Sequence, residues 1–214
     1  MYQRIDGSQW RHVFIVGDLH GCLAAFAAAL RAHHFDPSQD MVISVGDLID
    51  RGPDSPGCLR LLNRSWFFAV RGNHEEMALD ALREGDRQLW WLNGGAWFAK
   101  LSETAQGNVK PLLLSCENLP LIIELHASGR TIVIAHADYP SAQYRWQQPV
   151  DEHQVVWSRD RLNRHMRGQG GSIAGADAFY FGHTPLKTPL DFANQHYIDT
   201  GAVFGNRLTL VQVQ

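Results

Sequence analysis

Asp18 and His20, Asp47 and Asp50, and Asn73 and His74 lie in three short blocks: Gly17-Asp18-Leu19-His20-Gly21, Gly46-Asp47-Leu48-Ile49-Asp50-Arg51-Gly52 and Arg71-Gly72-Asn73-His74-Glu75. Each block closes an apolar run, Val13 to Val16, Met41 to Val45 and Trp66 to Val70, and such runs read as buried parallel strands. The blocks are expected to converge, because open α/β sheets gather their sites outside the carboxyl ends of the strands. Carboxylate, imidazole and amide oxygen together are the ligand set of a hard-to-borderline divalent metal. One Asp-x-His triplet says little, since a lone histidine is more often a hydrogen-bonded core residue. Three blocks in order say much more.

In this order, Asp-x-His-Gly, Gly-Asp-x-x-Asp-Arg-Gly and Arg-Gly-Asn-His-Glu resemble the metallophosphoesterase signature carried by the phosphoprotein phosphatase family, in its phage lambda and enterobacterial serine/threonine phosphatase group. Ile134-Ala135-His136-Ala137-Asp138-Tyr139-Pro140, Val156-Trp157-Ser158-Arg159, Phe181-Gly182-His183-Thr184-Pro185 and Tyr197-Ile198-Asp199-Thr200-Gly201-Ala202-Val203-Phe204 fit the same pattern. The resemblance covers nearly the whole chain. It implies an α/β fold, a two-sheet β-sandwich flanked by helices (α-β-β-α), with the metals at one edge and residues 1–214 forming a single domain. It implies two divalent metals, with Asp47 bridging, Asp18 and His20 completing one site, and Asn73, His136 and His183 completing the other. Manganese is the expected ion, and oxygen and imidazole ligands also admit iron, zinc or cobalt.

Such a pair of ions, about 3.5–4 Å apart, lowers the pKa of a shared water, neutralises phosphoryl oxygens and orients them for in-line attack. That combination answers the difficulty of hydrolysing a phosphate ester. The implied activity is hydrolysis of phosphoserine and phosphothreonine by a hydroxide held between the metals, with phosphotyrosine and aryl phosphates also accepted. A serine or threonine alkoxide leaves only with a proton, and His74 paired with Asp50 is the implied acid; an Asx-turn is the structural alternative for Asp50. Arg51, Arg71 and Arg159 are assigned to the substrate phosphate, which guanidinium grips in a two-pronged way. Glu75 is expected to serve the turn or helix start, and Asp138 and Tyr139 to line the cleft. His12, His33, His34, His126, His153, His165 and His196 are not expected to bind the metals.

Two other functions compete. A symmetrical dinucleoside tetraphosphate hydrolase would share the metal blocks, but the Arg-Gly-Asn-His-Glu flank and the His136 segment with Pro140 favour the protein phosphatases, and no second basic cluster is visible to hold further phosphates. A phosphoprotein-binding protein without catalysis should lack a ligand or the acid, and this chain lacks none.

The elements that must position these residues follow from periodicity. Leu23 to His33 and Ser55 to Asn63 read as helices between the signature strands, the second with Pro56 early, where a helix tolerates it. Glu75 to Arg83 reads as a helix leaving the third block, which puts His74 near a helix N-terminus. Residues 85–118, with Trp90, Trp91, Trp97 and Phe98 around Asn93-Gly94-Gly95, read as a helical insertion whose aromatics are core rather than a substrate wall. Ile122 to Leu125 and Thr131 to Ala135 read as a hairpin, and Phe179 to Phe181, Tyr197-Ile198 and Leu208 to Val213 as further strands. Arg167-Gly168-Gln169-Gly170-Gly171-Ser172 lacks the strand, helix and lysine of a phosphate-binding loop and is expected as a surface connection.

At 214 residues one well-buried domain is expected. A formal net charge of -3 gives no general attraction to polyanions, so phosphoproteins or phosphopeptides are the expected partners and nucleic acid is not. No apolar run has membrane-spanning length, and the first residues lack the apolar core of a signal peptide. A cytoplasmic setting is expected, with Cys22, Cys58 and Cys116 as small buried side chains rather than bridges.

Overall fold

Successive side chains of a strand point to opposite faces, and in Val13-Phe14-Ile15-Val16 all four are buried. Val13 and Ile15 face a central layer while Phe14 and Val16 face an outer one. Both faces of this strand are therefore covered, and the computed structural model, which describes residues 1–214, shows by what. Strands β1 (Tyr2–Asp6), β5 (Ile122–Ala127), β6 (Arg130–Ala135), β7 (Ala178–Phe181), β8 (Leu190–Phe192) and β9 (Gln195–Tyr197) form a six-stranded sheet in the order β1-β5-β6-β7-β9-β8. Strands β2 (His12–Val16), β3 (Asp40–Ser44), β4 (Phe67–Ala69) and β10 (Leu210–Gln212) form a second, in the order β10-β2-β3-β4.

The central layer lies between the sheets: Val13, Ile15, Met41 and Ile43 from one meet Ile5, Ile123, Leu125, Ile132 and Ile134 from the other. The four-stranded sheet turns Phe14, Val42 and Phe67 outward, against helices α1 (Leu23–Ala32), α2 (Ser55–Leu59), α3 (Asn73–Glu84), α4 (Gln88–Leu92) and α5 (Glu103–Ser115). The six-stranded sheet turns Val133, Phe179 and Phe181 outward, against α6 (Glu152–Trp157) and α7 (Asp160–Met166). The order of layers is α-β-β-α, as the sequence implies.

Strands β2, β3 and β4 pair in parallel, as do β6, β7 and β9. Their carboxyl ends deliver Asp18, Asp47, Asn73, His136 and His183 to one edge. The expected hairpin is β5–β6, closed by Ser128-Gly129 with φ of 47° and 71°, the two left-handed residues of a type I′ turn. The helix expected over Ser55 to Asn63 is α-helical only to Leu59 and then tightens into a 3-10 turn over Arg60–Asn63. Helix α3 starts at Asn73, two residues before the expected start. The 167–172 connection is exposed, and its Gly171 carbonyl accepts a hydrogen bond from Gln195 Nε2 at 2.8 Å.

One ion pair anchors the far end of this scaffold. Asp40, fully buried at the start of β3, takes Arg11 Nε at 2.9 Å and Nη2 at 2.6 Å, and the Asp36 amide at 2.8 Å. Burial pushes its carboxyl up, but Arg11 and the Asp36 amide more than offset that and hold it below the ordinary carboxylate range. A carboxyl so depressed stabilises the fold above the unfolded value near pH 4 and ceases to as pH falls through its folded value. Asp40→Asn should therefore cost about 1–3 kcal/mol at pH 6. Urea melts across pH should show the gap to wild type narrowing below about pH 4.

Candidate active site

Asp47 is the hub. Its Oδ1 accepts the backbone N–H of His74 at 3.0 Å, which fixes the carboxylate and leaves Oδ2 facing three imidazoles. His136 Nε2 lies 3.4 Å from Oδ2, His20 Nε2 3.7 Å and His74 Nε2 3.9 Å. Two groups of candidate metal-ligating atoms result, His20-Asp47-His74 and Asp47-His136-His183, and Asp47 belongs to both. Asn73 Oδ1 lies 3.0 Å from His136 Nε2 and 2.9 Å from His183 Nδ1. Asp18 accepts the His183 backbone N–H at 3.0 Å and so lies against the same cluster.

The tautomers are set by backbone carbonyls. His20 Nδ1 donates to the Ile49 carbonyl at 2.8 Å, His136 Nδ1 to Val45 at 2.7 Å, and His183 Nε2 to Trp157 at 3.1 Å. Each ring therefore turns its other nitrogen inward, the arrangement that metal-ligating histidines share. Arg51 Nη1, which can only donate, lies 2.6 Å from His20 Nε2 and independently marks that nitrogen as an acceptor. Burial lowers His20 to about 4 and His183 to about 3, so both rings are neutral at pH 7. Burial, followed by the Asp199 and Asp47 carboxylates, drives Asp18 well above the ordinary range. Burial opposes ionisation of Asp47 too, but His136 and His74 outweigh it and hold Asp47 well below that range. Inward imidazole nitrogens among crowded buried carboxylates fit divalent cations.

Local backbone makes this crowding possible. Nine non-glycine residues have positive φ, and five of them are His20, Asp47, Asp50, Arg51 and His183; strained backbone of this kind clusters at functional sites. At Gly182 a Cβ would collide with Asp18 Oδ1, and at Gly72 with Asp47 Oδ1, so only glycine lets these strand ends close on the carboxylates. Glu75 serves the turn, as expected from sequence. Its carboxylate accepts the amides of Asp47, Leu48 and Gly72 at 3.0, 2.8 and 2.9 Å, which ties the second block to the start of α3.

His74 is held apart from the other three. Its Nδ1 lies 2.7 Å from Asp50 Oδ2, and Asp50 also accepts Trp97 Nε1 at 2.7 Å and Trp90 Nε1 at 3.0 Å. Burial raises the Asp50 carboxyl, and the His74, Trp97 and Trp90 hydrogen bonds oppose that rise. Trp90 and Trp97 pack in the core, as the sequence suggests, whereas Trp91 is exposed; the two core tryptophans are also the polar seat of Asp50, which the sequence does not suggest. Only the indole N–H separates these roles, and it leaves no trace in an aromatic pattern. Trp97→Phe should cost about 1–3 kcal/mol in denaturant unfolding and lower turnover severalfold, with metal content unchanged.

Of the three arginines, Arg51 reaches the cluster, and its guanidinium also lies 5.7 Å from the centre of the exposed Phe204 ring. Arg159 Nε donates to Thr184 Oγ1, beside His183, at 3.3 Å. Arg71 makes its contacts outside the cluster, Nη1 donating to the Glu117 carbonyl at 3.2 Å and Nε lying 3.7 Å from Glu76. Tyr139 does not line the cleft: it is fully buried against Tyr144 and Phe179, because the chain after His136 folds under α6 through amide bonds to the Val155 carbonyl. Asp138, likewise drawn inward, pairs with Arg161 at 2.6 Å. Asp199, which the sequence leaves without a role, is buried beside Asp18 and accepts the Gly201 amide at 2.9 Å.

Residues 11–187 match the family model described as calcineurin-like phosphoesterase. The chain belongs to this family. Calcineurin-like phosphoesterases as a family imply divalent metals, in agreement with the donor set here. The chain is 55% identical to serine/threonine-protein phosphatase 1 of Salmonella typhimurium strain LT2 over 214 residues, covering 100% of this chain and 97% of that one. It is 43% identical to serine/threonine-protein phosphatase 2 of the same organism, covering 100% and 98%. A solved phosphoesterase structure proposed to be a diadenosine tetraphosphatase superposes with a TM-score of 0.73 at 27% identity, covering 99% and 93%.

Proposed function

We propose that this phosphoesterase is a protein phosphatase that removes phosphate from phosphoserine and phosphothreonine, and also accepts phosphotyrosine and aryl phosphates. The observation that carries the reading is the His74–Asp50 pair. His74 turns Nε2 toward Asp47 while Asp50 secures Nδ1, which is where an alkoxide leaving group needs a proton donor. Full-length identity to two protein phosphatases supports the peptide substrate. No helix is long and apolar enough to cross a membrane, and cysteines free of disulfides fit a cytoplasmic setting.

Asp18, His20 and Asp47 would hold one divalent ion, and Asp47, Asn73, His136 and His183 would hold the second, manganese being the first candidate by family resemblance. When bound, the ions supply an activated water and offset the charge on the phosphoryl oxygens. Asp47, common to both groups of ligands, would be shared by the two ions, its carboxylate kept ionised by His136 and His74. Arg51 and Arg159 bind and orient the phosphate from the rim, with Arg71 as a further cation beside the third block. His74 delivers its proton from Nε2, and Asp50 keeps the ring in the tautomer and orientation that allow it. Residues 1–214 act as one catalytic domain.

The deciding comparison is kcat/KM on serine, threonine and tyrosine phosphopeptides against diadenosine tetraphosphate, at equal manganese loading. All three peptides should be better substrates. If the dinucleotide wins by a wide margin, the chain is a dinucleoside tetraphosphate hydrolase instead.

A further inference from the structure

A cavity of about 570 Å³ opens away from the metal ligands, between α7 and the loop that follows β6. Arg161, Arg164 and Arg167 are in its wall, spaced three apart so that they share one side of the helix. Sequence reading finds no second basic cluster; helical spacing creates one. Arg161 is already committed, with Nε on Asp138 Oδ1 at 2.6 Å and Nη2 on the Tyr139 and Ser141 carbonyls at 2.6 and 3.0 Å. That pair also neutralises Asp138. Arg164 and Arg167 are exposed and face a wall whose remaining carboxylate is Asp160.

The helix that walls the cavity starts beside the catalytic edge. Asp138 is two residues beyond His136, and Arg159, which precedes α7, reaches Thr184 beside His183. From Arg159 to Arg167 a helix rises about 12 Å, the span of about four extended peptide residues. The chain is negative overall, at -3, so an acidic peptide gains nothing from the general surface and needs a local basic seat. Guanidinium groups suit that role, because they meet carboxylates in a planar fork.

Resting on the protein phosphatase reading, we propose that this cavity is a substrate subsite. It takes an acidic side chain of the phosphopeptide about four residues from the phosphorylated one. The test uses the manganese-loaded full-length chain and two phosphoserine peptides, one with Glu three to five residues to either side of the phosphoserine and one with Gln in the same places. The Glu peptide should have a kcat/KM higher by roughly 3- to 10-fold, mostly through KM, and 0.5 M salt should shrink the gap. The double variant Arg164→Ser/Arg167→Ser should lose the preference while its aryl phosphate turnover stays at the wild-type level. Equal use of both peptides by wild type overturns the subsite, as does a preference that survives in the variant. A variant impaired on aryl phosphate also overturns it, by assigning these arginines to the metal edge. If aryl phosphate is cleaved and neither peptide is, the protein phosphatase reading fails and the subsite falls with it.

Discussion

Asp47→Asn should abolish nearly all turnover, by more than the 10- to 100-fold that loss of an outer partner of a metal ligand typically costs. The reason is geometric. Three imidazole nitrogens point at one oxygen of this residue, Oδ2, while its other oxygen is tied to the His74 amide. An amide there has one oxygen in place of two and no charge, so both ions are weakened together, whereas His20→Asn or His183→Asn strikes one group of ligands. Elemental analysis of the purified protein should show metal falling from about two ions per chain toward none. One ion in a fully active wild-type chain would rule out the dinuclear centre.

His74→Asn should lower turnover of phosphoserine peptides by roughly 100-fold or more, the ordinary worth of general acid catalysis, at nearly unchanged metal content. An activated aryl phosphate leaves without much need of a proton, so on that substrate the loss should be less than about tenfold. The asymmetry is the informative quantity. Equal losses on both substrates would move His74 into metal or phosphate binding, a real alternative because its Nε2 lies 3.9 Å from Asp47 Oδ2. Asp50→Asn should give the same asymmetry in weaker form, because the ring keeps an oxygen acceptor for Nδ1 and loses only the negative charge beside it.

The strand ends were the most legible part of the chain. A parallel strand buried on both faces must be apolar throughout, so Val13 to Val16 and Met41 to Val45 announce themselves, and a polar residue just beyond such a run stands at the sheet edge. Edge strands carry a weaker signal: β1 and β8 are short and half exposed, and nothing in Tyr2–Asp6 demands a partner as distant as β5. The candidate metal-ligating residues were legible because each is a polar residue just beyond an apolar strand. The groups that orient them were not. The carbonyls of Ile49, Val45 and Trp157 fix three tautomers, and any residue at those positions supplies the same oxygen. The Trp90 and Trp97 N–H groups and the arginine wall of α7 depend on which way a helix faces, and that is settled by packing.

The left-handed backbone at His20, Asp47, Asp50, Arg51 and His183 also governs how substitutions at this centre are to be interpreted. Alanine in that region of φ carries its own cost of roughly 1–2 kcal/mol, so alanine at the aspartates would mix relaxation of the loop with loss of the side chain's chemistry. Asparagine tolerates the conformation and glycine adopts it freely. At Asp47 and Asp50 the asparagine variant isolates the charge, and at Arg51 the alanine variant isolates the guanidinium, because arginine already bears the Cβ cost that alanine bears. Where alanine is more damaging than glycine at Arg51, the difference measures the backbone alone.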